Sequence, residues 1–156
     1  SARRMLIGEA PGAREDALGQ PFVGRSGQLL DRLLLEVGLN PEKDLYICNV
    51  VKCRPPQNRR PKRGELTACR PWLDRQIDLV DPAVIVLLGA TAVDSLLGIK
   101  TGMTQLRGQW LSWNGRSVMP IFHPSYLLRN PSTAADAPTA LTRADLSAVQ
   151  QRLCER

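Results

Sequence analysis

Short apolar runs alternate with amphipathic stretches along this chain. Met5, Leu6 and Ile7 stand together between Arg4 and Gly8, and Pro11-Gly12 follows, which predicts a short buried strand closed by a turn. Gly19 to Gly24 reads as loop. From Ser26 to Leu39, the residues Leu29, Leu30, Leu33, Leu34 and Val37 recur at helical spacing, predicting a helix capped by Ser26 and ending near Gly38. Leu45 to Lys52 carries the β-formers Tyr46, Ile47, Val50 and Val51, and predicts the second strand. A loop rich in Pro and Arg runs from Arg54 to Arg63. Leu66, Cys69, Leu73 and Ile77 then mark a helix over Glu65 to Val80.

Ala83 to Leu88 is a continuous apolar run stopped by Gly89, the pattern of a parallel strand covered on both faces. Thr91 to Leu97 is helical. Asn114-Gly115 is a hairpin signal joining Gln109–Trp113 to Arg116–Phe122. His123-Pro124-Ser125 opens a short helical turn, Asn130 to Pro138 is turn-rich, and Thr139 to Arg152 makes a final helix. Strands alternating with helices predict an α/β fold with a mainly parallel central sheet and helices on both faces. Ligands bind such sheets beyond the carboxyl ends of the strands. Gly8–Gly12, Asn49–Cys53, Gly89–Thr91 and His123–Ser125 all fall there, so the topology gathers one candidate site.

Composition narrows the class. The 156 residues suit a single domain over 1–156, and 43% hydrophobic against 23% charged residues excludes a disordered chain. No run approaches the ~18 apolar residues of a membrane-spanning helix. There is no basic-then-apolar leader, so an intracellular, cytoplasmic protein is expected. Lys and Arg number 21 against 15 Asp and Glu, a formal charge of +6. Lys52, Arg54, Arg59, Arg60, Lys62 and Arg63 lie within one stretch free of acids, beside the candidate site. A charge run is often a solvated face; here it equals the whole net charge, which favours a phosphate backbone as partner.

Several residues at the strand ends could carry chemistry. Gly8-Glu9-Ala10-Pro11-Gly12 puts a carboxylate and two glycines after a buried strand, either as a tight turn or as backbone that can approach a phosphate or base. It lacks the Gly-Lys-Ser/Thr ending of a nucleotide P-loop. Asn49, inside an apolar strand, either ties down a loop or reads a base edge. Phe22 either anchors the core or stacks on a planar ligand. His123 is the sole histidine, which excludes a poly-histidine metal centre. Cys48, Cys53, Cys69 and Cys154 form no CxxC pair, and a chain without a leader does not predict disulfides. Cys53 and Cys69 flank the basic loop and could share a metal, but two thiolates do not close a site.

Gly8-Glu9-Ala10-Pro11-Gly12, Gln20-Pro21-Phe22-Val23-Gly24-Arg25, Asn49-Val50-Val51-Lys52-Cys53-Arg54-Pro55-Pro56 and His123-Pro124-Ser125-Tyr126-Leu127-Leu128-Arg129 occur in that order. Together they resemble the family 4 uracil-DNA glycosylases, the iron–sulfur branch of the uracil-DNA glycosylase superfamily. The resemblance runs from about Met5 to Pro131. It implies a three-layer α/β/α sandwich and a base-excision repair hydrolase that removes uracil from DNA, acting as a monomer and releasing free uracil. By resemblance, Phe22 stacks on the flipped uracil, Asn49 bonds its Watson–Crick edge, His123 donates to O2, and Gly8 and Ala10 join the pocket. Glu9 and Glu15 fall near the attacking water. Gly12, Lys52, Arg59, Arg60, Ser125 and Arg129 take the DNA backbone, and Leu127 with Leu128 wedges into the duplex.

Two departures accompany the resemblance. Ala10 stands where another branch carries an Asp for the water; family 4 lacks it too, which implies weaker water activation. The family's 4Fe–4S cluster has four cysteine ligands, of which Cys53 and Cys69 match two. The other two precede the first strand, where this chain has no counterpart. Either a cysteine-bearing segment is missing or the chain folds without its cluster, whose implied role is to anchor the loop between Cys53 and Cys69. The rival expectation is a uracil-DNA binding module without turnover. A sister group attaches covalently through a histidine in the loop after the second strand, and Arg54 to Gly64 holds none.

Overall fold

The computed structural model describes residues 4–9, 24–50 and 61–154. In chain order the described elements are β1 (Arg4–Gly8), α1 (Arg25–Glu36), β2 (Leu45–Asn49), α2 (Arg63–Val80), β3 (Val84–Leu88), α3 (Gly89–Leu97), α4 (Met103–Leu106), β4 (Leu111–Trp113), β5 (Arg116–Ile121), α5 (Pro124–Arg129) and α6 (Pro138–Cys154). The continuous apolar runs become central strands. Met5, Leu6 and Ile7 of β1 and every residue of β3 are buried, because helices cover both faces of the sheet.

The strand order is β2-β1-β3-β5-β4. β1 pairs parallel with β2 and β3, setting Leu6 opposite both Ile47 and Val86, and β3 pairs parallel with β5. β4 runs antiparallel to β5, joined to it by Asn114 and Gly115 at φ 48° and 76°. Two successive positive φ values are what a type I′ hairpin demands, and Asn-Gly adopts them at low cost. Pro120 is accommodated in β5 because it lies past the end of β4, where its missing N–H breaks no ladder bond; its carbonyl accepts from Gly108 N–H at 3.0 Å.

The pleat sends alternate side chains into opposite layers. Leu6, Val84, Val86, Leu88, Met119 and Ile121 meet α1, α5 and α6 through Leu30, Leu33, Leu34, Leu127, Leu146 and Val149. Met5, Ile7, Ile85, Leu87 and Val118 meet α2, α3 and α4 through Leu73, Ile77, Ala92, Val93, Leu96 and Leu106. The result is the expected three-layer α/β/α sandwich. Among the described residues no helix is long and apolar enough to cross a membrane.

Several boundaries depart from expectation. α1 is capped by the backbone of Gly24 without a side-chain bond, and Ser26 lies inside the helix, so Ser26 is not the cap. The helix ends at Glu36, three residues short of Leu39, and Gly38 closes it at φ 85° with Leu39 N–H bonded to Leu34 O at 2.9 Å. β2 stops at Asn49, and Val50 follows it as a buried bend. α2 begins at Arg63, before the expected Glu65, because Glu65 Oε1 accepts from Lys62 N–H at 2.7 Å and satisfies an orphan donor of the first turn. α4, at four residues, is too short for any periodicity to announce.

One ion pair locks the last helix to the sheet's return hairpin. Asp145 of α6, 4% exposed, accepts from Arg107 Nε at 2.9 Å and Nη2 at 2.6 Å. Gly108, at φ 78°, makes room: a Cβ there would lie 2.7 Å from Asp145 Oδ1. Arg107→Ala should leave a buried carboxylate without its partner and cost about 3 kcal/mol, the lower end for a broken buried pair because Arg107 is partly open to water. Urea unfolding of the two proteins measures this; a loss below about 1 kcal/mol would class the pair with surface salt bridges.

Candidate active site

Because β1, β2, β3 and β5 run in one direction, their carboxyl ends share a rim. Gly8 sits opposite Asn49 in register, and Val50 N–H extends the ladder by bonding Gly8 O at 2.9 Å. Leu88 sits opposite Ile121, so Gly89 and the Phe122-His123 step follow side by side. Glu9, Asn49, Gly89 and His123 are thus delivered to one edge by four separate strands.

His123 is the best-defined group there. It is the N-cap of α5, with extended backbone (φ −67°, ψ 138°), and Pro124 at the first helical position pre-sets the turn. Its Nδ1 accepts from Ser125 N–H at 3.1 Å and lies 2.8 Å from Ser125 Oγ. A backbone N–H can only donate, so Nδ1 carries no proton and the neutral ring holds its proton on Nε2. Phe122, buried beneath, stacks on Tyr126 with ring centroids 4.8 Å apart, which fixes the first turn of α5 to the core. Burial holds the imidazole below its ordinary value of 6.5. The Glu9 carboxylate pulls it up and the Arg129 guanidinium pushes it further down. Protonation at Nδ1 would also break the Ser125 bond, so geometry and burial act in the same direction.

Asn49 is half-buried at the end of β2, with its amide oxygen shut off from solvent. β2 and β5 are three strand spacings apart, ~14 Å between backbones. Glu9 is half-exposed, close enough for its charge to act on His123. Arg129 is exposed at the end of α5, Ser125 is half-buried beside the imidazole, and Lys62 and Arg63 are exposed at the head of α2. Arg63 and Thr67 line a cleft of about 360 Å³ between α2 and α3, at the same end of the sheet.

The leucine pair divides. Leu127 is 2% exposed and packed in the core, so it is not available to enter a duplex; Leu128 is half-buried at the surface. The expected two-leucine wedge is corrected to one. Ala10, Gly12, Glu15, Phe22, Lys52, Cys53, Arg59 and Arg60 lie outside the described residues. Cys69, on α2, is half-buried and packed against the layer formed by Leu73 and Ile77. Among the described residues no three His, Cys, Asp or Glu side chains gather to hold a metal ion. Of the two thiols that match cluster ligands of the family, Cys69 is the one among the described residues, and an iron–sulfur cluster takes four. Cys48 is buried in the core, as the apolar strand predicts. Gly89, next to His123, is a site residue to which sequence reasoning gave no role.

With one histidine in the chain, its ring resonances report this site alone. Titration followed by NMR should place the midpoint below 6.5, with the proton on Nε2 throughout the neutral range. The unfolded chain takes up this proton first. The His123 contribution to stability is therefore complete above about 6.5 and is lost as pH falls from there through the depressed folded value. A midpoint at or above 6.5 would mean a charged imidazole at the rim.

Residues 1–147 match the family model of the uracil DNA glycosylase superfamily. The chain is 53% identical over 132 residues to the type-4 uracil-DNA glycosylase of Thermotoga maritima, a match covering 83% of this chain and 68% of that protein. It is 44% identical over 140 residues to the type-4 enzyme of Sulfurisphaera tokodaii, covering 84% and 63%, and 40% identical over 136 residues to that of Pyrobaculum aerophilum, covering 82% and 69%. The matched region spans about two thirds of the length of these relatives. A shared rim holding Glu9, Asn49 and His123, a family match over most of the chain and identities of this size converge: the chain belongs to the uracil-DNA glycosylase superfamily, on its type-4 branch.

Proposed function

We propose that this chain excises uracil from DNA by drawing the base out of the helix and hydrolysing its N-glycosidic bond, leaving an abasic site. The observation that carries this reading is the state of His123: a neutral ring with Nδ1 engaged by Ser125 and Nε2–H left as donor. As the C1′–N1 bond breaks, negative charge collects on the uracil, much of it on O2. A donor held at O2 gains strength as that charge grows, so it stabilises the transition state more than the bound substrate. The oxygen of a water bonds to C1′ and gives up one proton to solvent, while the uracil anion leaves and takes one proton from solvent. Glu9, and Glu15 by resemblance, favour the positive sugar and orient that water.

Selection falls to Asn49. Its amide can accept from N3–H and donate to O4, a pattern that cytosine inverts. Confinement at a strand end opposes the rotation that would let the amide read both bases. Phe22 stacks on the base, with Gly8 and Ala10 beside it. Extruding a base costs a few kcal/mol. Contacts to the phosphates from Gly12, Lys52, Arg59, Arg60, Ser125 and Arg129 offset that cost, and Leu128 fills the vacated stack. The domain over 1–156 acts as a monomer in this reading. A 4Fe–4S cluster enters it only as support for the basic loop, through Cys53 and Cys69 with thiols from elsewhere, and no step runs through it.

Incubated with a uracil-containing oligonucleotide, the protein should release free uracil and leave an alkali-labile site. Binding without release, at enzyme excess, would replace the enzyme with a non-catalytic uracil-DNA binding module. His123→Ala should lower the single-turnover rate by ~10²–10³; a rate near wild type would remove His123 from the chemistry. Neutralising Arg59 and Arg60 together should weaken DNA binding and reduce the slope of log affinity against log salt by about two. An unchanged slope would make that loop a bystander.

A further inference from the structure

We infer that Gly89 is a positioning residue for His123: the absence of a side chain at Gly89 sets how closely the imidazole approaches the end of β3, and hence where its donor meets the leaving uracil. This rests on the uracil-excision reading and deepens it. Gly89 is buried at the start of α3, at φ 86°, and β3 is the sheet neighbour of the strand that delivers His123. A Cβ built on Gly89 would lie 3.1 Å from His123 Cβ and 3.8 Å from both Cγ and Cδ2. Carbon atoms prefer about 3.5–4.0 Å. A methyl group there must therefore push the histidine outward.

The histidine cannot absorb that push by changing rotamer, because the crowded atom is its Cβ. On one side Phe122 is buried and stacked on Tyr126; on the other Pro124 opens α5 and Ser125 N–H holds Nδ1. Displacement of Cβ is passed to the ring and to its bond with Ser125. A catalytic donor must lie within about 2.7–3.1 Å of the oxygen it serves, and an error of about 1 Å can cost ~10² in rate. Gly89 is thus under two separate demands, a left-handed backbone and an empty Cβ position. Gly98 meets only the first: it closes the same helix at φ 70°, with nothing within 4 Å of a built Cβ.

That contrast supplies the experiment. Gly89→Ala should lower the single-turnover rate of uracil release by ~10–10² while affinity for uracil-DNA stays near wild type. The nitrogen resonances of the sole imidazole should shift at the same time. Gly98→Ala should leave rate and resonances at wild type. Added to His123→Ala, Gly89→Ala should cause no further loss of rate, because the imidazole whose place it sets is gone. Unchanged resonances in folded Gly89→Ala, an equal loss from Gly98→Ala, or a further loss on top of His123→Ala would each overturn the assignment. Should Gly89→Ala not fold, adding His123→Gly removes the opposing Cβ and should restore folding; failure to do so overturns it too. The imidazole spectrum needs no turnover, so it decides the Gly89–His123 contact even if the chain releases no uracil.

Discussion

Parallel pairing among β1, β2, β3 and β5 carries the site as well as the core. Strands that all point one way must end together, so residues from four distant parts of the chain arrive along one edge. Register decides which residues those are. Setting Gly8 against Asn49 and Leu88 against Ile121 brings Glu9, Asn49, Gly89 and His123 to the ends of four strands, within two residues of one level. The register is held by burial: a slip of one residue would turn Ile7 or Leu87 out of its own layer and into the opposite one. The apolar runs that stabilise the fold and the polar residues that follow them are therefore governed by one constraint.

Two buried polar groups show opposite ways of living with a low dielectric. Asp145 is matched by a partner, because Arg107 reaches it with two donors and Gly108 leaves space for the contact. His123 stays neutral, because burial disfavours its cation and a backbone donor occupies Nδ1. The first arrangement fixes α6 in place. The second prepares a donor for a charge that arises only during reaction. At His123 a neutral ring suffices, because the developing anion needs a placed donor rather than a full positive charge.

Glycines recur where such contacts are tightest. Gly89 and Gly108 both adopt positive φ and both lie against a functional or structural side chain, His123 and Asp145, at distances that a Cβ would violate. Gly38, Gly98 and Gly115 share the backbone conformation and have open space around them. A sequence records all five with the same letter. Only the surroundings separate a glycine that ends a helix from one that admits an imidazole.

The sequence by itself determined the alternation of strands and helices, the hairpin at Asn114-Gly115, the parallel sheet and the rim of strand ends to which Asn49 and His123 are brought. Those features follow from local periodicity and from the direction that parallel connections impose. Local pattern also misled in places: Ser26 had the chemistry of a cap, but the cap lies two residues earlier, at Gly24. Leu127 and Leu128 are identical neighbours, and nothing within their motif says which enters the core; α1 and α6 decide it by covering Leu127. The tautomer of His123, the bond between Arg107 and Asp145, and the contact at Gly89 were likewise settled by tertiary structure. The last two depend on atoms brought within a few ångströms by the packing of separate elements, a distance that spacing along a chain does not encode, and the first on the backbone angles of one helix cap.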